Sequence, residues 1–292
     1  MFMRRWQGAN TIPNTMTPAR SLSIIIPAYC EAENILATLE NVTRALAPLG
    51  LTHEILVVDD GSPDGTGDLV TATLSRFANV RLLTNSRNMG FGWSYRRGVE
   101  AAALDHIVMV HGDNAWGHAT LREFFSHVGE ADIIIGYTRH MWRSRTWRRT
   151  VISKTFTGLV NLITQRWLTY YNGLQIHQAS VLKSLRIESR GYGFQAEVLV
   201  KALRGASTYR EVAMDLTERK RGESQAFRLK NVVDVARTLR LLCALPWTAS
   251  PRRAAARTAG RGSAGRRSPA ARSARSCRWR ASRRFASSSG TR

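Results

Sequence analysis

Two adjacent carboxylates, Asp59 and Asp60, close the apolar run Glu54-Ile55-Leu56-Val57-Val58 and are followed by Gly61-Ser62-Pro63-Asp64-Gly65. A short Val/Ile-rich run stopped by turn residues reads as a buried strand of a parallel sheet. That places both carboxylates at the strand's C-terminal end, the edge where open α/β sheets bind ligands. Three other stretches are built alike: Pro27-Ala28-Tyr29-Cys30-Glu31, Asn88-Met89-Gly90-Phe91-Gly92 and His111-Gly112-Asp113-Asn114. Together they describe one polar crevice. Carboxylates alone repel a phosphate, so the chemistry they suit is a ribose, a base edge or a divalent cation that carries the phosphate. Asn88-x-Gly90-x-Gly92, opening a helix, can turn backbone N–H groups toward a phosphate. No Gly-Lys-Ser/Thr follows it, and the first strand carries no full Gly-x-Gly-x-x-Gly, which argues against a Walker loop and against a dinucleotide oxidoreductase.

The elements that must position these residues are legible in order. Strands are expected at 21–29, 53–59, 79–84, 106–110 and 131–137, alternating with helices at 31–46, 67–77, 92–104 and 119–128. This alternation specifies an α/β domain with a mostly parallel sheet. After Tyr137 the pattern changes. Residues 140–154 are basic and aromatic (Trp142, Arg143, Arg145, Trp147, Arg148, Arg149, Lys154), and 156–167 carry a helical apolar face. Trp and Arg beside such a face suit a membrane interface, or equally a surface helix packed on the sheet. Short elements follow at 173–176, 181–185 and 195–203, then a late strand at 208–216 and a final helix at 227–245.

The net charge of +22 suggests nucleic acid until it is located. Thirteen of these charges are arginines of 248–292, a stretch with no Lys, Asp or Glu, leaving +9 for the rest. That Arg/Ala/Ser-rich tail lacks the apolar content to order itself and has little aromatic interleaving, which disfavours a nucleic-acid-binding protein. The domain plan is therefore a flexible 1–20, a catalytic-type domain at 21–247 and a disordered tail at 248–292. Three cysteines without disulfide or metal spacing fit a reducing compartment. Residues 1–20 have no apolar h-region, and no stretch reaches ~18 uninterrupted apolar residues, so any membrane contact is expected to be peripheral.

As an ordered set, Ser23-Ile-Ile-Ile-Pro-Ala-Tyr-Cys-Glu-Ala-Glu-Asn-Ile35, Glu54-Ile-Leu-Val-Val-Asp-Asp-Gly-Ser-Pro-Asp-Gly-Thr66 and Asn88-x-Gly-x-Gly92 resemble the inverting family 2 glycosyltransferases of GT-A fold. Gly191-Tyr-Gly-Phe-Gln-Ala-Glu197 and Arg219-Lys-Arg-Gly-Glu-Ser224 resemble the polyprenyl-phosphate sugar transferases of the dolichol-phosphate mannosyltransferase kind. The resemblance spans about 21–245. It implies a nucleotide-diphosphate sugar donor and a polyprenyl phosphate acceptor, with an enzyme peripheral on the cytoplasmic face of an anionic membrane. By position, Pro27, Tyr29 and Glu31 would line the base pocket. Asp59 and Asp60 would hold base and ribose, in either assignment, with Asn88 and Gly90 beside the phosphates. Arg219 and Arg221, with Ser224, would face the diphosphate or the lipid phosphate. Gln195 and Glu197 would lie on the acceptor side, Glu197 being equally readable as a core-edge residue.

The family's metal-binding Asp-x-Asp falls on His111-Gly112-Asp113, with His111 in place of the first Asp. Asp113 keeps the direct metal position, for Mg2+ or Mn2+. His111 suits transition metals better than Mg2+. Two alternatives stay open: a glycan or protein hydroxyl as acceptor, which needs a general base such as Glu197, and a family member impaired in catalysis.

Overall fold

The computed structural model describes residues 20–139, 147–189, 191, 193–206, 208–215, 229–244 and 252–253, with backbone only at 147–149, 229–235 and 252–253. In chain order the elements are β1 (Ser21–Ala28), α1 (Ile35–Leu46), β2 (Thr52–Asp59), α2 (Thr66–Thr73), β3 (Val80–Thr84), α3 (Phe91–Ala101), β4 (His106–Met109) and α4 (His118–Phe125). They continue as β5 (Ile133–Thr138), α5 (Trp147–Thr164), β6 (Gln175–Gln178), α6 (Ala179–Lys183), α7 (Phe194–Gly205), β7 (Thr208–Met214), α8 (Leu229–Cys243) and β8 (Arg252–Arg253).

They build one sheet in the order β3-β2-β1-β4-β6-β5-β7-β8. All its pairings are parallel except the two made by β6. The chain winds outward from β1 through β2 to β3, then returns to lay β4 on the other side of β1. The topological switch point, and hence the crevice, is therefore between the carboxyl ends of β1 and β4.

The period of two along each strand sends alternate residues to opposite faces. Ile24 and Ile26 of β1, with Val57, Val108 and Ile134, pack under Leu39 and Val42 of α1 and Phe124 of α4. Ile25, Leu56, Val58, Ile107 and Met109 pack under Tyr95 and Val99 of α3 and Phe194 and Val198 of α7. Farther along that second face, Ile133 and Ile135 meet Val160 of α5, Leu199 of α7 and Leu242 of α8. Both faces are covered, which is why the parallel strands read as continuous apolar runs.

Several sequence expectations change. The stretch 173–176, read as a minor element, begins β6, which lies inside the sheet between β4 and β5. The described part of the basic run, from Trp147 to Lys154, belongs to the same helix as the apolar run after it, because α5 begins at Trp147. Within the expected tail, Arg252–Arg253 pair with Thr208–Tyr209 of β7. Such pairing uses backbone groups only and needs no apolar side chain. The rest of the tail, residues 1–19, and the site candidates Arg219, Arg221 and Ser224 lie outside the described residues.

Candidate active site

The switch point is held by close backbone contact. A Cβ at Gly112 would lie 3.2 Å from the Pro27 carbonyl oxygen and 3.4 Å from Ala28 Cβ, so a small residue there lets the β4 end press onto the β1 end. Thr38 Oγ1, on α1, donates to the Gly112 carbonyl at 2.9 Å. Pro27 is buried in this seam, whereas Tyr29 beyond it is 45% exposed and open to a ligand.

Asp59 and Asp60 take different jobs, although both are 3% exposed. Asp59 Oδ1 accepts from Ser62 N (3.2 Å) and Ser62 Oγ (2.5 Å). Asp60 is turned toward the neighbouring loop. Its Oδ1 accepts from Asn85 Nδ2 (2.7 Å) and Met89 N (2.9 Å), and its Oδ2 accepts from Gly90 N (2.8 Å). The carboxylate expected to sit on the base or ribose thus fixes the loop that opens α3. It leaves Asn88 on the exposed outer side of that loop and Gly90 at φ +96°. Asn85 at the end of β3 also donates to Ser94 Oγ of α3 (2.9 Å). It was not among the sequence candidates, although the strand-end logic that singled out the others applies to it.

The 30–34 turn is tied to the 62–66 turn. Cys30 N donates to Ser62 Oγ (3.1 Å), Glu31 N to Thr66 Oγ1 (3.0 Å) and Ala32 N to Asp64 Oδ2 (3.1 Å). Desolvation alone would raise the Asp64 carboxyl. The hydrogen bonds from Thr66 and from the Ala32 N–H outweigh it and hold the group below its ordinary value. The Glu31 carboxylate accepts from Asn34 Nδ2 at 2.9 Å.

At the end of β4, the His111 ring stacks on Phe91 of α3, with centroids 5.3 Å apart and planes 8° from parallel. Phe91 in turn meets Phe194 of α7 edge-on, and Phe194 packs on Tyr95. This aromatic chain ties both helix starts to the strand end, and only its His was visible as a candidate. Asp113 is half-buried and accepts from Ala115 N at 3.2 Å. Among the described residues no group of three His, Cys, Asp or Glu is placed to share a metal. A single carboxylate still fits the way Mg2+ is commonly held, by one or two carboxylates and the substrate's own phosphates. Asp113 meets that description; His111, with its ring face against Phe91, is a secondary donor at most.

Gln195, expected on the acceptor side, borders a small cavity lined also by Tyr95, Met109, Gln175, His177, Phe194 and Val198. Glu197 has no access to any ligand. It is fully buried, and its carboxylate accepts from Lys201 Nζ (2.6 Å), Glu188 N (2.8 Å) and Ser189 N (2.7 Å). Desolvation pushes its pKa up, but the Lys201 contact and the hydrogen bonds from Ser189 and the Glu188 N–H more than reverse this, so it stays ionised. Of its two expected readings, acceptor-side group and core-edge residue, this burial fits the second. Lys201, four residues on, was the sequence signal for an internal pair. Behind the cavity, Gln175 Nε2 donates to the Tyr171 carbonyl (2.6 Å), which leaves Gln175 Oε1 to accept from His177 Nε2 (3.1 Å). His177 Nδ1 is buried without a partner, and burial pushes the imidazole down to about 3.

Comparison with known proteins matches residues 23–184 to the model described as glycosyl transferase family 2. The chain belongs to glycosyl transferase family 2. The transferase is 31% identical over 76% of its length to a polyprenol monophosphomannose synthase of Mycolicibacterium smegmatis, covering 86% of that protein. It is 30% identical over 69% of its length to an undecaprenyl-phosphate mannosyltransferase of Micrococcus luteus, covering 85% of it. Its fold matches glucosyl-3-phosphoglycerate synthase of Mycobacterium tuberculosis, crystallised with Mn2+, UDP-glucose and phosphoglyceric acid. That match has a TM-score of 0.58 at 18% identity, over 78% of this chain and 81% of the other. The GT-A architecture implied by the family resemblance is thereby established.

Proposed function

We propose that the transferase moves a hexose, mannose in the first instance, from a nucleotide-diphosphate sugar to a polyprenyl phosphate, with inversion. The observation that carries this reading is the state of Glu197. The carboxylate named as a candidate base for a hydroxyl acceptor is sealed in an ion pair with Lys201. A phosphate acceptor is already ionised at neutral pH and needs no base. The names of the mannosyltransferase relatives support the same acceptor class.

In this mechanism Tyr29, Glu31 and Asp59 bind the nucleoside, and Asp60 holds the 85–90 loop so that the start of α3 faces the diphosphate. Asp113, with His111 behind it, would hold a divalent cation, Mg2+ or Mn2+. When bound, that cation neutralises charge on the diphosphate. A phosphate oxygen of the acceptor attacks the anomeric carbon from the face opposite the diphosphate. The new C–O bond forms as the sugar–diphosphate bond breaks, and the nucleoside diphosphate leaves with the electron pair. Arg219 and Arg221, with Ser224, are proposed to face the reacting phosphates, where Arg binds in bidentate fashion. We place the enzyme on the cytoplasmic face of an anionic membrane, where its acceptor resides.

Incubation with a panel of nucleotide sugars and either a polyprenyl phosphate or a simple alcohol tests the reading. Transfer confined to the phosphate is the expected result; equal transfer to the alcohol, or none to either, refutes it.

A further inference from the structure

Among the described residues, the outer side of α5 is apolar and exposed. Its inner side packs Val160 against Leu242 of α8, with Phe156 and Ile163 at the edge of that contact. The opposite side carries Val151 (43% exposed), Ile152 (55%), Leu159 (43%) and Leu162 (70%). Positions 152, 155, 159 and 162 follow the 3- and 4-residue steps of one helical stripe. Trp167, just past the helix, is 82% exposed. A helix apolar on both sides is ordinarily covered on both.

The surrounding sequence indicates what covers this one. From Asp132 to Glu188 the chain contains no acidic residue between those two. Over the same span it carries Arg139, Arg143, Arg145, Arg148, Arg149, Lys154, Arg166, Lys183 and Arg186. A second copy would bring the same uniformly cationic segment against itself, with no carboxylate of that segment to offset it. A nucleic acid would satisfy the cations but leave the leucines in water. Exposed apolar side chains in a segment whose charges are all positive, with a Trp just beyond the helix, match an anionic bilayer surface, whose headgroups meet the cations and whose acyl boundary takes the apolar stripe.

We infer that the stripe Ile152–Leu159–Leu162, with Trp167, dips into the headgroup–acyl boundary of an anionic membrane. This deepens the polyprenyl-phosphate reading by naming the face that meets the lipid, but its support is the surface itself. None of the described helices is long and apolar enough to span a bilayer, and α5 is placed to lie on one.

The test uses the full chain and vesicles of phosphatidylglycerol or of phosphatidylcholine. The wild type should sediment with the anionic vesicles, less so at high salt because the attraction is screened. Leu162→Asp and, separately, Ile152→Asp should each weaken this partitioning about tenfold or more, with an unchanged melting temperature and unchanged transfer to a short, water-soluble polyprenyl phosphate. Undiminished vesicle binding by both variants overturns the inference. So does a wild-type dimer in sedimentation velocity that Leu162→Asp dissolves while vesicle binding is absent. If the stripe variants lose the vesicles but the wild type transfers to no polyprenyl phosphate, the docking face stands and the acceptor reading falls.

Discussion

The neighbouring carboxylates of the crevice are not interchangeable, and their hydrogen bonds say how each will respond to mutation. Asp113 is half-buried and accepts from Ala115 N of its own turn at 3.2 Å, so Asp113→Asn should leave the melting temperature nearly unchanged and lower turnover at least about a hundredfold, the scale of losing one preorganised electrostatic contact. Wild-type turnover in that variant would remove Asp113 from the mechanism. Asp59→Ala should weaken nucleoside-diphosphate binding, measured by calorimetry, by roughly 1.5–3 kcal/mol, the worth of a hydrogen bond to a charged group. His177 gives a pH signature. Its imidazole is held neutral down to about 3 in the fold but titrates near 6.5 when unfolded. The unfolded chain therefore binds the extra proton between these values, and stability declines as pH falls from about 6.5 toward 3. Thermal melts of His177→Gln across that window should show a flatter profile than the wild type; parallel profiles would contradict the assignment.

Among the elements, the turn after β2 is the one whose substitution should be felt farthest. Gly61 has φ +69°, and a Cβ there would meet the Arg87 backbone at 2.7 Å. Backbone cannot swing aside as a flexible side chain can. Gly61→Ala should cost roughly 1–3 kcal/mol of stability and should also weaken nucleotide binding, because it pries apart the 59–62 turn and the 85–90 loop. Chemical denaturation and calorimetry on the same variant check both. How legible each element was follows from its chemistry. β1, β2 and β4 are apolar runs ending in turns, and the sequence placed them within a residue or two. β6 was read only as a short element at 173–176, with no place in the sheet, because Gln175-Ile176-His177-Gln178 has one apolar residue in four. Gln175 Oε1 accepts from His177 Nε2 inside the sheet, a partnership that periodicity cannot register. The site was legible where a strand ended in a carboxylate. It was illegible where function depends on orientation, as with Asp60 turned to its loop, or on an aromatic stack such as Phe91 under His111.

For the molecule as a whole, charge and fold are separable. Most of the arginines beyond Trp247 lie outside the described residues, and the two that are described, Arg252–Arg253, join the sheet at its margin. Truncation after Trp247 should therefore move the melting temperature little, by no more than the loss of a two-residue edge pairing implies. A drop of ten degrees or more would show that the segment completes the core.

The placement of β6 also sets an order of assembly. A chain leaving the ribosome N-terminus first can pair β3, β2, β1 and β4 as soon as they are made. β5 emerges next and finds no neighbour, because both strands that flank it, β6 and β7, are still to be synthesised. Until residue 178 is out, β4 presents an open edge and β5 an unpaired apolar strand, the features that promote intermolecular pairing. A chain stalled between residues 139 and 174 should therefore be prone to aggregation, whereas a few residues more, the four of β6, close the sheet across its middle.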